Sequence, residues 1–219
     1  MDWSVIQSSL PQFAAAFWLT LWLSAVGIAG ALVVGIAASL TQFFRLPGLH
    51  QLATGYIDVA RNTPLLVQLF FIYYGLPGLG IKLSATASGL IGLVFLGGSY
   101  MAEAFTSGYN AIGRGQLESG AALGLTNGQL ARYVVIPQGL AAAVPALAAN
   151  VIFLIKETSI FTVIAIPELT NTALDLIGLY YRSSEYLFTL VVAYAIILIP
   201  LSWGLTTLER RVRYGTFGH

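Results

Sequence analysis

The stretch Gly115-Gln116-Leu117-Glu118-Ser119-Gly120-Ala121-Ala122-Leu123-Gly124-Leu125-Thr126-Asn127-Gly128-Gln129-Leu130-Ala131-Arg132-Tyr133-Val134-Val135-Ile136-Pro137 decides how the rest of the chain is read. It is a mixed polar and apolar segment set between long apolar runs. Ala121 and Ala122 favour a short helix opened by Glu118. Gly124 can close that helix in the left-handed conformation, which glycine adopts without a Cβ clash. Thr126 can N-cap a second helix that runs to Ile136, and Pro137 then starts a segment that enters the following apolar run. The pattern predicts a helix–turn–helix presenting small residues and one carboxylate. On these residues alone, an ordinary connecting loop stands beside that reading.

The surroundings decide where such a segment can sit. Of 219 residues, 57% are hydrophobic and only 9% charged, with a mean hydropathy of +0.80. A soluble domain usually carries about 25% charged residues. A chain of this size cannot hide so much apolar surface from water, so the bilayer is its expected solvent. A net charge of +1 argues against a nucleic-acid partner. Cysteine is absent, which removes disulfides, thiolate metal sites and thiol chemistry. No basic n-region with a small-residue cleavage site is found, so a removable signal peptide is not expected.

Apolar runs long enough to cross a bilayer need about 20 residues. Residues 13–44 form the first, after a short amphipathic segment bearing Asp2. Arg45, Pro47 and Gly48 end it. Residues 50–76 form a second, expected to open near Asn62-Thr63-Pro64 because proline removes a backbone donor and clashes with the preceding turn. Residues 85–111 form a third, whose Gly89, Gly92, Gly97 and Gly98 permit close helix packing. Residues 138–166 and 186–208 complete five spans, with a polar surface helix and loop over residues 168–185. The whole chain, residues 1–219, reads as one all-α integral membrane domain, with residues 115–137 between the third and fourth spans.

Basic residues orient it. With the N-terminus outside, Arg45, Arg114, Arg132, Arg210, Arg211 and Arg213 fall on the cytoplasmic side, against Lys82 and Arg182 outside. That is the positive-inside pattern, so N-out/C-in is expected and residues 115–137 are cytoplasmic.

Those residues carry a family resemblance. Glu118, the small Ala121, Gly124 six residues after the glutamate, and Val134, Ile136 and Pro137 resemble the EAA loop of ATP-binding-cassette (ABC) importer permeases. Ser119 and Gly120 stand where the family usually has alanines. Ala60 to Leu69 resembles the R-G-T-P-L-L-V-Q segment of the polar amino-acid subfamily, with Asn62 where glycine is common. Tyr100-Met101-Ala102-Glu103, Lys156-Glu157-Thr158-Ser159 and Glu209-Arg210-Arg211 resemble further segments of the histidine/glutamine/glutamate permease group. The match runs over residues 12–214.

The resemblance implies a type I importer permease fold and a mechanism. A second permease subunit, the same or paralogous, completes the pathway. A dimeric ABC ATPase receives the coupling helix, with Glu118, Ala121, Gly124 and Pro137 as coupling residues. An extracytoplasmic binding protein delivers the amino acid. Nucleotide binding and hydrolysis then drive alternating access. No cofactor is expected on this chain, and ATP and Mg belong to the partner ATPase. The chain is expected to be a translocation subunit and not an enzyme, multi-pass in a bacterial inner membrane. Glutamine, glutamate or aspartate is the favoured cargo.

Charges inside spans cost about 2.5–3.5 kcal/mol each on insertion scales, so Asp58, Arg61, Glu103, Lys156 and Glu157 should avoid lipid. Two readings stand. In one, Asn62, Thr63, Gln68, Tyr100, Glu103, Lys156, Glu157, Thr158 and Ser159 bind substrate. In the other, Asp58–Arg61 and Glu103–Lys156 are mutual pairs that fix helix packing. An ion-gradient-driven transporter or channel using Glu103 and Lys156, and a structural subunit without a pathway, are the rival functions. His50 and His219 are isolated, and no metal site is expected. Trp3, Trp18, Trp22 and Trp203 read as interface anchors or packing. The glycines form no phosphate loop.

Overall fold

A computed structural model describes residues 1–217 and the side chains through residue 212. The Arg213 side chain and His219 lie outside the described residues. Among these residues every regular element is helical: α1 (Trp3–Phe43), α2 (Leu49–Arg61), α3 (Leu65–Phe70), α4 (Ala85–Asn110), α5 (Arg114–Ala122), α6 (Asn127–Leu130), α7 (Ile136–Glu157), α8 (Leu169–Tyr180) and α9 (Ser183–Phe217). Four helical stretches are long and apolar enough to cross a membrane: Trp3–Phe43, Ala85–Asn110, Asn127–Ile164 and Ser183–Val212. Leu65–Leu79 is apolar but shorter.

α1 starts ten residues earlier than the span expected from residue 13. Asp2 is the reason: its carboxylate accepts the Ser4 N–H at 3.0 Å and the Ser4 hydroxyl at 2.6 Å, an N-cap that favours a helix start. Pro11 sits inside the helix.

The break expected in the second span is present. α2 stops at Arg61 and α3 starts after Pro64. The Asn62 amide donates to the Asp58 carbonyl at 2.8 Å, and the Gln68 amide donates to the Thr63 carbonyl at 3.0 Å. The Asp58 carbonyl also accepts the Asn62 backbone N–H at 3.2 Å, while at the break the Gln68 side chain supplies a partner for the Thr63 carbonyl.

Proline shapes two further turns. A π-turn over Phe71–Gly75 precedes Leu76-Pro77, and another over Ala131–Val135 precedes Ile136-Pro137. In each, the residue before proline donates five residues back, Leu76 to Phe71 and Ile136 to Ala131. The wider turn makes room for the ring. Pro137 therefore does not start a new segment; it lies inside a helical run continuous from Asn127. At the far end of that run, residues 158–164 tighten into a 3-10 turn. Thr158 Oγ1 donates to the Ile155 carbonyl at 2.7 Å, which helps close that turn.

The chain divides into two compact units. One comprises residues 1–29, 63–94 and 152–202; the other comprises 30–62, 95–151 and 203 onward. In the first, Gly92 of α4 lies against Leu65 and Leu69, and Gly89 against Phe161 and Ile166. These are the close approaches that the small-residue pattern predicts. α8, a helix within the polar stretch 168–185 expected to lie at the surface, belongs to this unit and buries one face. Leu169, Asn171, Ala173 and Leu176 are buried, because every third or fourth residue falls on one helix face. In the second unit, Gly98 lies against Tyr56 and Val34, and Gly108 against the Gly139 carbonyl.

Candidate functional site

The hairpin over residues 114–130 is built by local sequence. α5 ends where Gly124 takes φ +79°, the left-handed region that glycine enters freely. Leu125 N–H then donates to the Gly120 carbonyl at 3.2 Å, and Gly124 N–H to Ala121 at 2.9 Å. Thr126 opens α6 with a full capping box: Gln129 N–H donates to the Thr126 hydroxyl, and Gln129 Oε1 accepts the Thr126 N–H at 2.8 Å. The Gly120 backbone is buried against Leu130, which joins the two arms. Glu118, Ala121, Ala122 and Gly124 are all exposed. Leu123, absent from the expected coupling set, is 82% exposed.

In the second unit, Arg61 on the last turn of α2 meets α4. Its guanidinium forms an ion pair with Glu103 and lies over the Tyr100 ring, 5.3 Å from the centroid. Tyr100 and Glu103 are three apart and share a helix face. The planar guanidinium can serve both at once. Asn150 of α7 donates to the Tyr100 carbonyl at 3.0 Å and braces this face. The pairing differs from both pairs expected from spacing. Arg61 turns to Glu103, and among the described residues no ion pair joins it to Asp58. Glu103 is held by Arg61, where Lys156 was the expected partner. Arg61 itself was missed as a member of the candidate site, although its place three residues after Asp58 drew attention to it.

In the first unit, Lys156 is exposed on the last turn of α7, where a cation suits the carbonyl end of a helix. Glu157 and Ser159 are partly buried, and Thr158 is fully buried. Thr63 and Gln68 belong to the same unit. Gln68 is 7% exposed with its amide on the Thr63 carbonyl. Asn62, in the second unit, spends its amide on Asp58. Both amides are therefore committed to shaping the break between α2 and α3.

The sequence matches the family described as the binding-protein-dependent transport system inner membrane component, over residues 27–214. The chain belongs to that family. The glutamine transport system permease protein of Escherichia coli strain K12 is 35% identical over 97% of this chain and 98% of its own length. A probable glutamine ABC transporter permease protein of Bacillus subtilis strain 168 is 30% identical over the same shares. A solved structure of an amino acid ABC transporter with histidines superposes with TM-score 0.87 at 31% identity, covering 96% of this chain and 99% of that one. An inward-facing methionine ABC transporter, at 18% identity and TM-score 0.80, shares the fold. The protein is thus an inner-membrane component of a binding-protein-dependent transport system, a permease with helices long and apolar enough to cross a membrane. The EAA-loop resemblance and the helical hairpin sit together in this permease.

Proposed function

We propose that this permease imports a polar amino acid of the glutamine, glutamate or aspartate kind across a bacterial inner membrane. A binding protein delivers the amino acid and a dimeric ATPase drives alternating access. Five crossings with the N-terminus outside underlie this reading, the second formed by α2 and the apolar stretch through Leu79. A second permease subunit completes the pathway.

The observation that carries it is the hairpin at residues 114–130. Its two arms are locked by Gly124 and the Thr126–Gln129 capping box, so it can move as a rigid lever. Its tip exposes Glu118, Ala121 and Ala122 beside Leu123. A small-residue helix with one carboxylate and one exposed leucine suits docking in a groove on an ATPase. Gly124 sets the angle between the arms, and Pro137 shapes the wide turn that joins the lever to α7.

Cargo handling falls to the polar groups in the apolar helices. Arg61, Tyr100 and Glu103 offer both signs of charge and an aromatic face, which suits an α-carboxylate and an α-ammonium. Lys156, Glu157, Thr158 and Ser159 contribute a cation, a carboxylate and hydroxyls where α7 gives way to the 3-10 turn. Asn62, Thr63 and Gln68 fix the break that precedes α3. Calorimetric titration of the partner binding protein against the amino acids tests the cargo assignment. Saturable binding of glutamine, glutamate or aspartate is expected; binding restricted to basic amino acids or cystine contradicts it.

A further inference from the structure

The groove that α1 forms with α8 and the start of α9 takes no part in the handling of cargo described above. All three pieces belong to the first unit. Two cavities open along the groove. One, of about 310 Å³, lies between Ser8 and Gln12 of α1 and Tyr180, Arg182 and Tyr186. The other, of about 370 Å³, lies between Gln12, Ala15, Ala16 and Leu19 of α1 and Pro167 and Asp175. Gln12 and Leu176 line both, so the cavities adjoin.

The groove is graded along α1. Its end nearer the start of the helix carries the Arg182 guanidinium, the Gln12 amide and the hydroxyls of Tyr180 and Tyr186. Among the described residues none of these side chains forms a hydrogen bond or ion pair within the protein. The charge of Arg182 reaches Asp2 and Glu185. Asp2 is spent on Ser4, however, and Glu185 on the Asp2 N–H and the N-terminal ammonium. Toward the apolar span the walls become Ala15, Ala16, Leu19 and Pro167.

Asp175 is held on the groove from behind. Glu168 is completely buried and caps α8, accepting the Asn171 N–H at 2.7 Å and the Thr170 N–H at 2.8 Å. The Tyr194 hydroxyl of α9 also donates to it at 3.3 Å. Asn171, itself buried, then donates to Asp175 Oδ2 at 2.7 Å. Among the described residues Asp175 Oδ1 has no partner, and it belongs to a side chain that lines the groove. From Asp175 to the end of α8 at Tyr180 the helix rises about 8 Å. A small ligand with a hydrogen bond of about 3 Å at each end covers that length.

The occupant follows from these features. One carboxylate and one guanidinium suit a ligand that carries an ammonium and an anion together. A polar end leading into an apolar one suits an amphiphile. Trp18 of α1 and Tyr180 and Tyr181 at the end of α8 are exposed around the groove, and such side chains gather at the membrane–water interface.

We propose that this groove binds a phospholipid whose headgroup bears a primary ammonium, in the outer leaflet for the orientation proposed above. The phosphate accepts from the Arg182 fork, Gln12 and the tyrosine hydroxyls. The ammonium donates to Asp175, and an acyl chain lies along Ala15, Ala16 and Leu19. A choline headgroup has no N–H to give Asp175, and a glycerol headgroup leaves that carboxylate facing an uncompensated phosphate.

The test is native mass spectrometry of the full importer from detergent micelles holding equal amounts of phosphatidylethanolamine, phosphatidylcholine and phosphatidylglycerol with the same acyl chains. The wild type is expected to retain phosphatidylethanolamine about tenfold over the other two, the scale of one charge-assisted hydrogen bond. Arg182→Gln is expected to lower that retention about tenfold. Asp175→Asn keeps an oxygen for Asn171 and is expected to bring phosphatidylethanolamine down to the level of phosphatidylcholine. Ala15→Trp fills the apolar end from an exposed position, leaves both charges in place, and is expected to lower retention as well; it decides the matter if a charge variant fails to assemble. Equal retention of the three lipids by the wild type overturns the proposal, as does a wild-type pattern in any of the three variants. Phosphoethanolamine without acyl chains, added at the same concentration, is expected to displace little lipid. Full displacement by it would make the groove a site for a soluble phosphate monoester and overturn the lipid assignment.

Discussion

Arg61 pairs with Glu103 while its guanidinium lies 5.3 Å over the ring of Tyr100. One cation thus binds a carboxylate and an aromatic face that α4 presents three residues apart. The Glu103 side chain keeps 53% of its surface exposed.

An α-ammonium bound to the Glu103 carboxylate would lose a charge-assisted hydrogen bond on its substitution. Glu103→Gln is expected to raise the half-saturating concentration for uptake by roughly tenfold to a hundredfold, since such bonds contribute about 1.5–3 kcal/mol. Transport kinetics in proteoliposomes check this. Unchanged kinetics would leave the pair a packing device only.

Leu123 projects from the hairpin and is 82% exposed. Replacing it with aspartate should leave the melting temperature of the isolated chain unchanged. Co-purification with the ATPase should fall by about tenfold or more, the scale of losing one interface anchor. Pull-down with the tagged ATPase measures this directly.

Gly124 takes φ +79° and a Cβ there would meet nothing within 4 Å. The penalty of Gly124→Ala is therefore conformational, about 1–2 kcal/mol for a left-handed alanine. Gly124→Asn should be milder, and Gly124→Val worse. Uptake per ATP hydrolysed should follow that order, because the substitution strains the lever's hinge and leaves the rest of the fold alone.

Glu168 sets a pH dependence of stability. Its unfolded carboxyl ionises near 4.5, while the folded one holds its proton to about 7. The folded state thus binds more protons between those values, and stability falls as pH rises through them. The loss reaches roughly 3 kcal/mol by the upper end. Thermal unfolding of the detergent-solubilised permease across this range should show the slope, and Glu168→Gln should flatten it.

Much of this was legible in the sequence. The left-handed turn at Gly124, the Thr126 cap and the break before Pro64 follow from residues whose backbone preferences are strong and local. So do the close approaches at Gly89 and Gly92. Pairings between helices were less legible. Arg61 could reach Asp58 on its own helix face, and only the docking of α2 on α4 brings Glu103 into range. Glu168 gave no signal at all: glutamate is an uncommon N-cap, and its partner Tyr194 is 26 residues away in an apolar run. The start of α1 was missed because Asp2 looked like a lone surface charge until its bonds to Ser4 made it a cap. The buried face of α8 was less legible because Asn171 on that face finds its partners in Thr162 and Asp175.

The central claim is ATP-coupled import through a pathway this chain helps to form. Its most direct measurement is radiolabelled glutamine uptake into proteoliposomes holding the purified permease, with and without the ATPase, ATP and the loaded binding protein. Uptake only when all are present, lost on replacing Glu118 and Leu123 together, is the expected result. Robust uptake by the permease alone, driven by an ion gradient, would contradict it.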